Sequence, residues 1–127
     1  MQVDRYEVSI TADGSGNGTG FTATPVRGRI LAIRYVPDGT SPYATGVDVT
    51  VTGAVSGIAI TTITNAGTSA IDVYPRAAIA TTVNAAGLYA VGGAAVLDLI
   101  PVADEKVQIT IAQAGASAAG KFHVYIG

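Results

Sequence analysis

The sequence predicts an all-β fold: one β-sandwich domain of about eight strands with jelly-roll or Greek-key connections. Three observations carry that expectation. Apolar and polar residues alternate with period two along most of the chain. Turn signals built from Gly, Asn, Asp and Pro interrupt the alternation at the intervals usual for sandwiches and barrels. One long crossing among short hairpins argues against a simple meander. With 127 residues, a single domain over 1–127 can bury roughly two-thirds of its unfolded surface without disulfides or metals.

Taken in order, Tyr6, Val8 and Ile10 alternate with Arg5, Glu7 and Ser9, as a strand with one buried and one wet face does. The Gly-rich stretch from Asp13 to Gly18 turns the chain into a second strand around Gly20–Thr24. A third runs over Gly28–Val36, with Leu31, Ile33 and Tyr35 on one side and Ile30, Ala32, Arg34 and Val36 on the other. After a turn containing Pro37, Asp38, Gly39 and Pro42, the cleanest alternation sets Val47, Val49 and Val51 against Asp48, Thr50 and Thr52. Gly53–Gly57 reads as a hairpin connection into Ile58–Thr64, and Asn65-Ala66-Gly67 leads into Ser69–Tyr74.

Residues 75–100 carry no clear period. They read either as a long surface crossing with one short helical turn or as an irregular strand interrupted at Gly87 and at Gly92-Gly93. Order returns with Val96–Ile100 and Pro101. Val107, Ile109 and Ile111 then alternate with Lys106, Gln108 and Thr110, and a loop of small residues leads to a final strand on Phe122, Val124 and Ile126.

Composition narrows the function further. The chain has no Cys and no Trp, one His and nine acidic residues. Without Cys there is no disulfide framework, thiolate nucleophile or Cys-based zinc site. Few groups remain for acid–base or metal chemistry, so we expect no enzyme, no cofactor and no metal. Net charge is −2, and the seven basic residues are dispersed, with only Arg27, Arg29 and Arg34 approaching a cluster. Nucleic-acid binding, which needs several phosphate contacts from one basic face, is therefore not expected.

Ala77–Leu97 is free of charge but holds Thr81, Thr82, Asn84 and three glycines. It lacks the Leu, Ile and Phe density of a membrane span. Charged residues near the N-terminus stand where a signal peptide would be apolar, so the chain reads as made without a cleaved leader. The apolar content is mostly Ala and Val, and part of it is expected to stay exposed as an interface.

Individual motifs mostly read as structure. Asp13, Ser15, Asn17 and Gly18 resemble half of a calcium loop, but Thr24 stands where the bidentate Glu belongs. The glycines from Gly14 do not complete a phosphate cradle, because Thr19 takes the third glycine's place. Asp104 and Glu105 would point to opposite faces of a strand and read as a solvated turn. Asp48 and Asp98 sit in strands, where Asp is unfavourable. Arg29, Arg34 and Arg76 are their candidate partners, within the domain or across a subunit contact. His123 occupies the polar register of the last strand beside Lys121 and Tyr125; at a subunit contact its titration would make assembly pH-sensitive. Tyr35, Tyr43, Tyr74 and Tyr89 lie near turns or in the irregular region. They are compatible with sugar stacking but more in keeping with a protein interface. The candidate interface set is Arg29, Arg34, Tyr35, Tyr74, Arg76, His123 and Tyr125.

The runs Gly28–Val36 (GRILAIRYV), Gly46–Gly53 (GVDVTVTG), Tyr74–Ala77 (YPRA), Ile100–Ile109 (IPVADEKVQI) and Gly120–Gly127 (GKFHVYIG) are similar to those of small structural proteins of tailed bacteriophages. The resemblance covers nearly the whole chain, and its motifs are structural. It implies a virion component, foremost a capsid decoration (cement) protein made in the host cytoplasm and carried on the capsid surface. The implied partners are copies of itself, with a homotrimer favoured, and the major capsid protein. A carbohydrate-binding or tail/spike accessory module is the alternative.

Overall fold

In the computed structural model, which describes residues 2–127, the chain forms eleven strands and, among the described residues, no helix. These are β1 (Asp4–Thr11), β2 (Gly18–Phe21), β3 (Val26–Pro37), β4 (Asp48–Gly53), β5 (Ala59–Ile63), β6 (Ile71–Val73), β7 (Ala77–Ala78), β8 (Leu97–Asp98), β9 (Ile100–Glu105), β10 (Val107–Ala112) and β11 (Ala119–Ile126). The number exceeds the expected eight because β7 and β8 are two-residue pairs in the irregular region and β9 is distinct from β10.

All strand pairs are antiparallel. One sheet runs β1-β11-β3-β6, with β9 also on β3; the other runs β2-β10-β4-β5. β6 and β9 lie end to end along one edge of β3, since Ile33 pairs with Val73 and Ile30 with Ile100 while both pair with β11 on the other edge. The chain passes between the sheets repeatedly, and β4–β5 is the hairpin between consecutive strands of one sheet. This is a β-sandwich of interleaved connectivity, as the sequence predicts.

The alternation seen in sequence builds the core. Val8 and Ile10 of β1, Phe122, Val124 and Ile126 of β11, Val49 and Val51 of β4, and Val107, Ile109 and Ile111 of β10 all point inward and are buried. At one side the sheets approach closely because β2 has glycine where it faces β1. A Cβ on Gly18 would lie 2.8 Å from the Ile10 side chain, and one on Gly20 would lie 2.7 Å from it.

Three aromatic rings fill the interior. Tyr35, Tyr43 and Phe122 have centroids 5.6 to 6.4 Å apart. The two phenols still satisfy their hydroxyls: Tyr35 donates to the carbonyl of Gly67 and Tyr43 to that of Ile10, both at 2.6 Å.

Strict alternation fails in β3. The register with β11 shifts so that Ala32 faces Tyr125 and Ile30 faces Ile126, leaving Leu31 as the extra residue of a bulge. Ile30 is therefore fully buried with Ile33 and Tyr35, while Leu31, expected on their side, is half-buried.

Of Asp104 and Glu105, expected to be solvated, Asp104 is exposed and Glu105 is not. They end β9 at a second bulge, where Asp104 adopts φ of 55°. Glu105 is 8% exposed, and its Oε1 accepts the backbone N–H groups of Val55 and Ser56 at 2.9 and 3.0 Å. The chain then changes sheets at Lys106 and continues as β10.

Residues 76–99 hold no helical turn; they are closer to the other expectation, an irregular extended segment broken by turns. They leave the sheet edge between β6 and β9 as a narrow ribbon of three short segments. β7 pairs with β8, and isolated bridges join Ala80 to Ala86 and Leu88 to Ala95. Nearly every residue of this arm is exposed.

Candidate functional site

The outer face of the β1-β11-β3-β6 sheet carries a polar row in strict register: Glu7, His123, Arg34 and Asp72, one from each strand. Arg34 Nη1 donates to both Asp72 oxygens at 2.9 Å, with each side chain a little under half exposed. Lys121 Nζ stands 3.4 Å from Glu7 Oε1. Tyr125, on the neighbouring row between Arg5 and Ala32, is half-buried. His123 Nδ1 is buried without a hydrogen-bond partner. The alternating signs neutralise the face internally, and exposed pairs of this kind are worth about 0–1 kcal/mol.

Of the expected interface residues, the structure brings together Arg34, His123 and Tyr125 on this face. Tyr74 (65% exposed) follows β6. Arg76 sits at the root of the arm, where its Nη1 donates to the carbonyls of Pro75 at 2.7 Å and Leu31 at 3.4 Å. Arg29 is exposed further along β3, opposite Pro101. Tyr35 is a correction: it is 0% exposed, and its ring is part of the aromatic core, so it cannot touch a partner. Tyr43 is buried with it, which removes two of the four tyrosines considered for sugar stacking.

The expected aspartate–arginine pairs also differ. Asp48 Oδ1 accepts Asn65 N–H at 3.0 Å and Asp98 Oδ1 accepts Leu99 N–H at 2.7 Å, while the arginine partners are Asp72 for Arg34 and Asp104 for Arg27.

The carboxylates with shifted titration are turn-builders. Asp13 is held below its usual range by the N–H groups of Asn17 and Ser15, Asp38 by those of Ser41 and Thr40, and Glu105 by those of Ser56 and Val55. Each closes a loop by accepting backbone donors. Among the described residues, no group of three or more His, Asp or Glu side chains is placed to hold a metal ion, and no helix is long and apolar enough to cross a membrane.

Two apolar surfaces stand apart from this polar face. One is the arm, where Val83 is 82%, Tyr89 75% and Val91 106% exposed. The other is an open hollow lined by Phe21, Pro25, Ala54 and Val55, with Asp104, Glu105 and Lys106 at its rim.

No family model and no curated protein matches this chain. A solved structure described as "Crystal Structure of FLHE" is similar at 10% identity and a TM-score of 0.46, over 99% of this chain and 98% of that one.

Sequence reasoning missed both apolar surfaces as sites. The arm's only signal was its lack of period together with its lack of charge. The hollow had none, because Phe21 and Val55 meet only through the turn that Glu105 holds in place.

Proposed function

We propose that the protein is a structural virion component of the capsid decoration (cement) type, assembling on a phage head through protein–protein contacts and performing no catalysis. The observation that carries this reading is the arm over 76–99, free of charge from Ala77 to Leu97, which displays large apolar side chains from an otherwise well-packed sandwich. A soluble chain that keeps such a surface has a protein partner to cover it. Further support comes from the resemblance of the β3, β4, β9–β10 and β11 segments to small tailed-phage structural proteins. The partners on this reading are copies of the chain, with a trimer favoured, and the major capsid protein. The place of action is the capsid surface.

The test is co-sedimentation of the purified protein with expanded capsid shells that lack decoration. Saturable binding at fixed stoichiometry, with a raised shell-disruption temperature, is the expected result. Protein left in the supernatant at every ratio overturns the reading. Exposure of Tyr74 and Tyr89 favours a second reading, a glycan-binding accessory module. Glycan affinity abolished by Tyr89→Ala, with no shell binding, would establish it instead.

A further inference from the structure

We infer that residues 76–99 are a docking arm whose occupant is a second copy of this chain, received in the open hollow lined by Phe21 and Val55. Eleven large apolar side chains are exposed among the described residues, and they sort into two groups. Six belong to the arm: Ile79, Val83, Leu88, Tyr89, Val91 and Leu97, with Tyr74 at its root. Three belong to the hollow and its turn: Phe21, Val55 and Ile58. Only Val3 falls outside both.

The area is that of an interface. Together the arm side chains leave several hundred Å² in solvent, near the ~800 Å² that each partner of a standard protein–protein contact buries. The ribbon is exposed on both faces, so a flat surface would cover only half of it. A concave receiver covers more.

Charge selects the occupant. Ala77–Leu97 carries no ionisable group other than the Tyr89 phenol, so it offers nothing to phosphates or anionic headgroups. It matches a mainly apolar hollow in which two of the three lining charges are engaged: Asp104 is paired with Arg27 at 3.1 Å, and Glu105 accepts two backbone N–H groups, while Lys106 stands at the same surface.

Within one copy the two surfaces stay apart. The arm rejoins the sheet at Leu99, and the hollow lies beyond the far end of β9, about 20 Å along the strand. Arm into hollow therefore joins two different surfaces, a head-to-tail contact that closes into a ring when the rotation permits. The inference rests on the reading above only in that copies of this chain associate. Association without shell binding would remove the capsid role and leave this contact standing.

The experiment is light scattering and sedimentation of the full chain over a concentration series. It compares wild type with an arm variant (Tyr89→Asp with Val91→Asp), a hollow variant (Val55→Asp) and their equimolar mixture. All three positions are exposed, so both variants should stay folded, each unfolding in one cooperative transition. Wild type is expected to oligomerise and each variant alone to run as a 12.7 kDa monomer. In the mixture, one intact arm meets one intact hollow, so the mass should rise to that of a dimer and stop there. A monomeric wild type at every concentration overturns the inference, and its binding to phosphatidylcholine vesicles would assign the arm to lipid. Assembly of the hollow variant at the wild-type level, or a mixture that stays monomeric, overturns the hollow as receiver.

Discussion

The ring of Tyr43 lies against the backbone of Gly120: a Cβ at that position would sit 2.5 Å from the ring's Cε2 and 2.9 Å from Cζ. Tyr43 reaches this place from the loop between β3 and β4, and Gly120 is the β11 residue that lets the ring enter. Gly120→Ala should cost about 1–3 kcal/mol through overpacking, since the ring is also wedged against Tyr35 and Phe122. Urea denaturation should show the midpoint falling without a change in slope.

The hydroxyl of the same ring ties the loop to β1 by donating to Ile10 O. Tyr43→Phe removes that bond from a carbonyl that β11 also pairs, and should lose about 0.5–1.5 kcal/mol. Tyr35→Phe should cost less, because Gly67, whose carbonyl Tyr35 reaches, is only half-buried. Paired denaturation curves of the two variants check the order; equal losses would contradict it.

Burial pushes the Tyr35 phenol up to about 12, and Tyr43 is raised further by burial and by Tyr35 beside it. Both folded values lie above the ordinary value near 10, so their contribution to stability is full below pH 10 and is lost as pH rises towards the folded values. An absorbance titration of the folded protein should show two of the six tyrosines failing to ionise near pH 10 and doing so only as the fold opens. Six phenols titrating together in a still-folded chain would contradict the buried pair.

Glu105 works in the opposite direction. The N–H groups of Ser56 and Val55 hold its carboxyl below the ordinary 4.5, so its stabilising effect is full above that value and fades as pH falls through the lower folded one. Thermal unfolding followed from pH 6 to pH 3 should show Glu105→Gln flattening the acid limb of the stability profile relative to wild type. Asp13 and Asp38 continue to supply part of that limb. An unchanged limb in the variant would remove Glu105 from the account.

The legible parts of the sequence were those where a strand has one wet face and one packed face. Val47–Val51, Val107–Ile111 and Phe122–Ile126 sit in the structure as their alternation requires. Leu31 misled because a bulge shifts phase by one residue, and that shift is set by the partner strand rather than by local composition. Tyr35 and Tyr43 lie beside turns, where tyrosine is usually wet. Their burial depends on Gly120 and on acceptors 32 and 33 residues away. The burial of Glu105 has no local signal, because its donors are 49 and 50 residues earlier in the chain. The arm had no period to read, since a segment that packs on nothing within its own molecule has no buried face to impose one.

The place of β11 has a kinetic consequence. It lies between β1 and β3, pairing Asp4 with Ile126 on one side and Pro37 with Gly120 on the other. During synthesis β1 and β3 therefore wait with open edges until residue 126 has left the ribosome, and the rings of Tyr35 and Tyr43 wait for Phe122. Pairings of such sequence separation are slow to close, so the centre of this sheet forms after the local pairs β4–β5 and β3–β6, whose strands lie closer together in the chain. Chains stopped short of β11 should expose one edge of β1 and one of β3, and aggregate more readily than the full sequence.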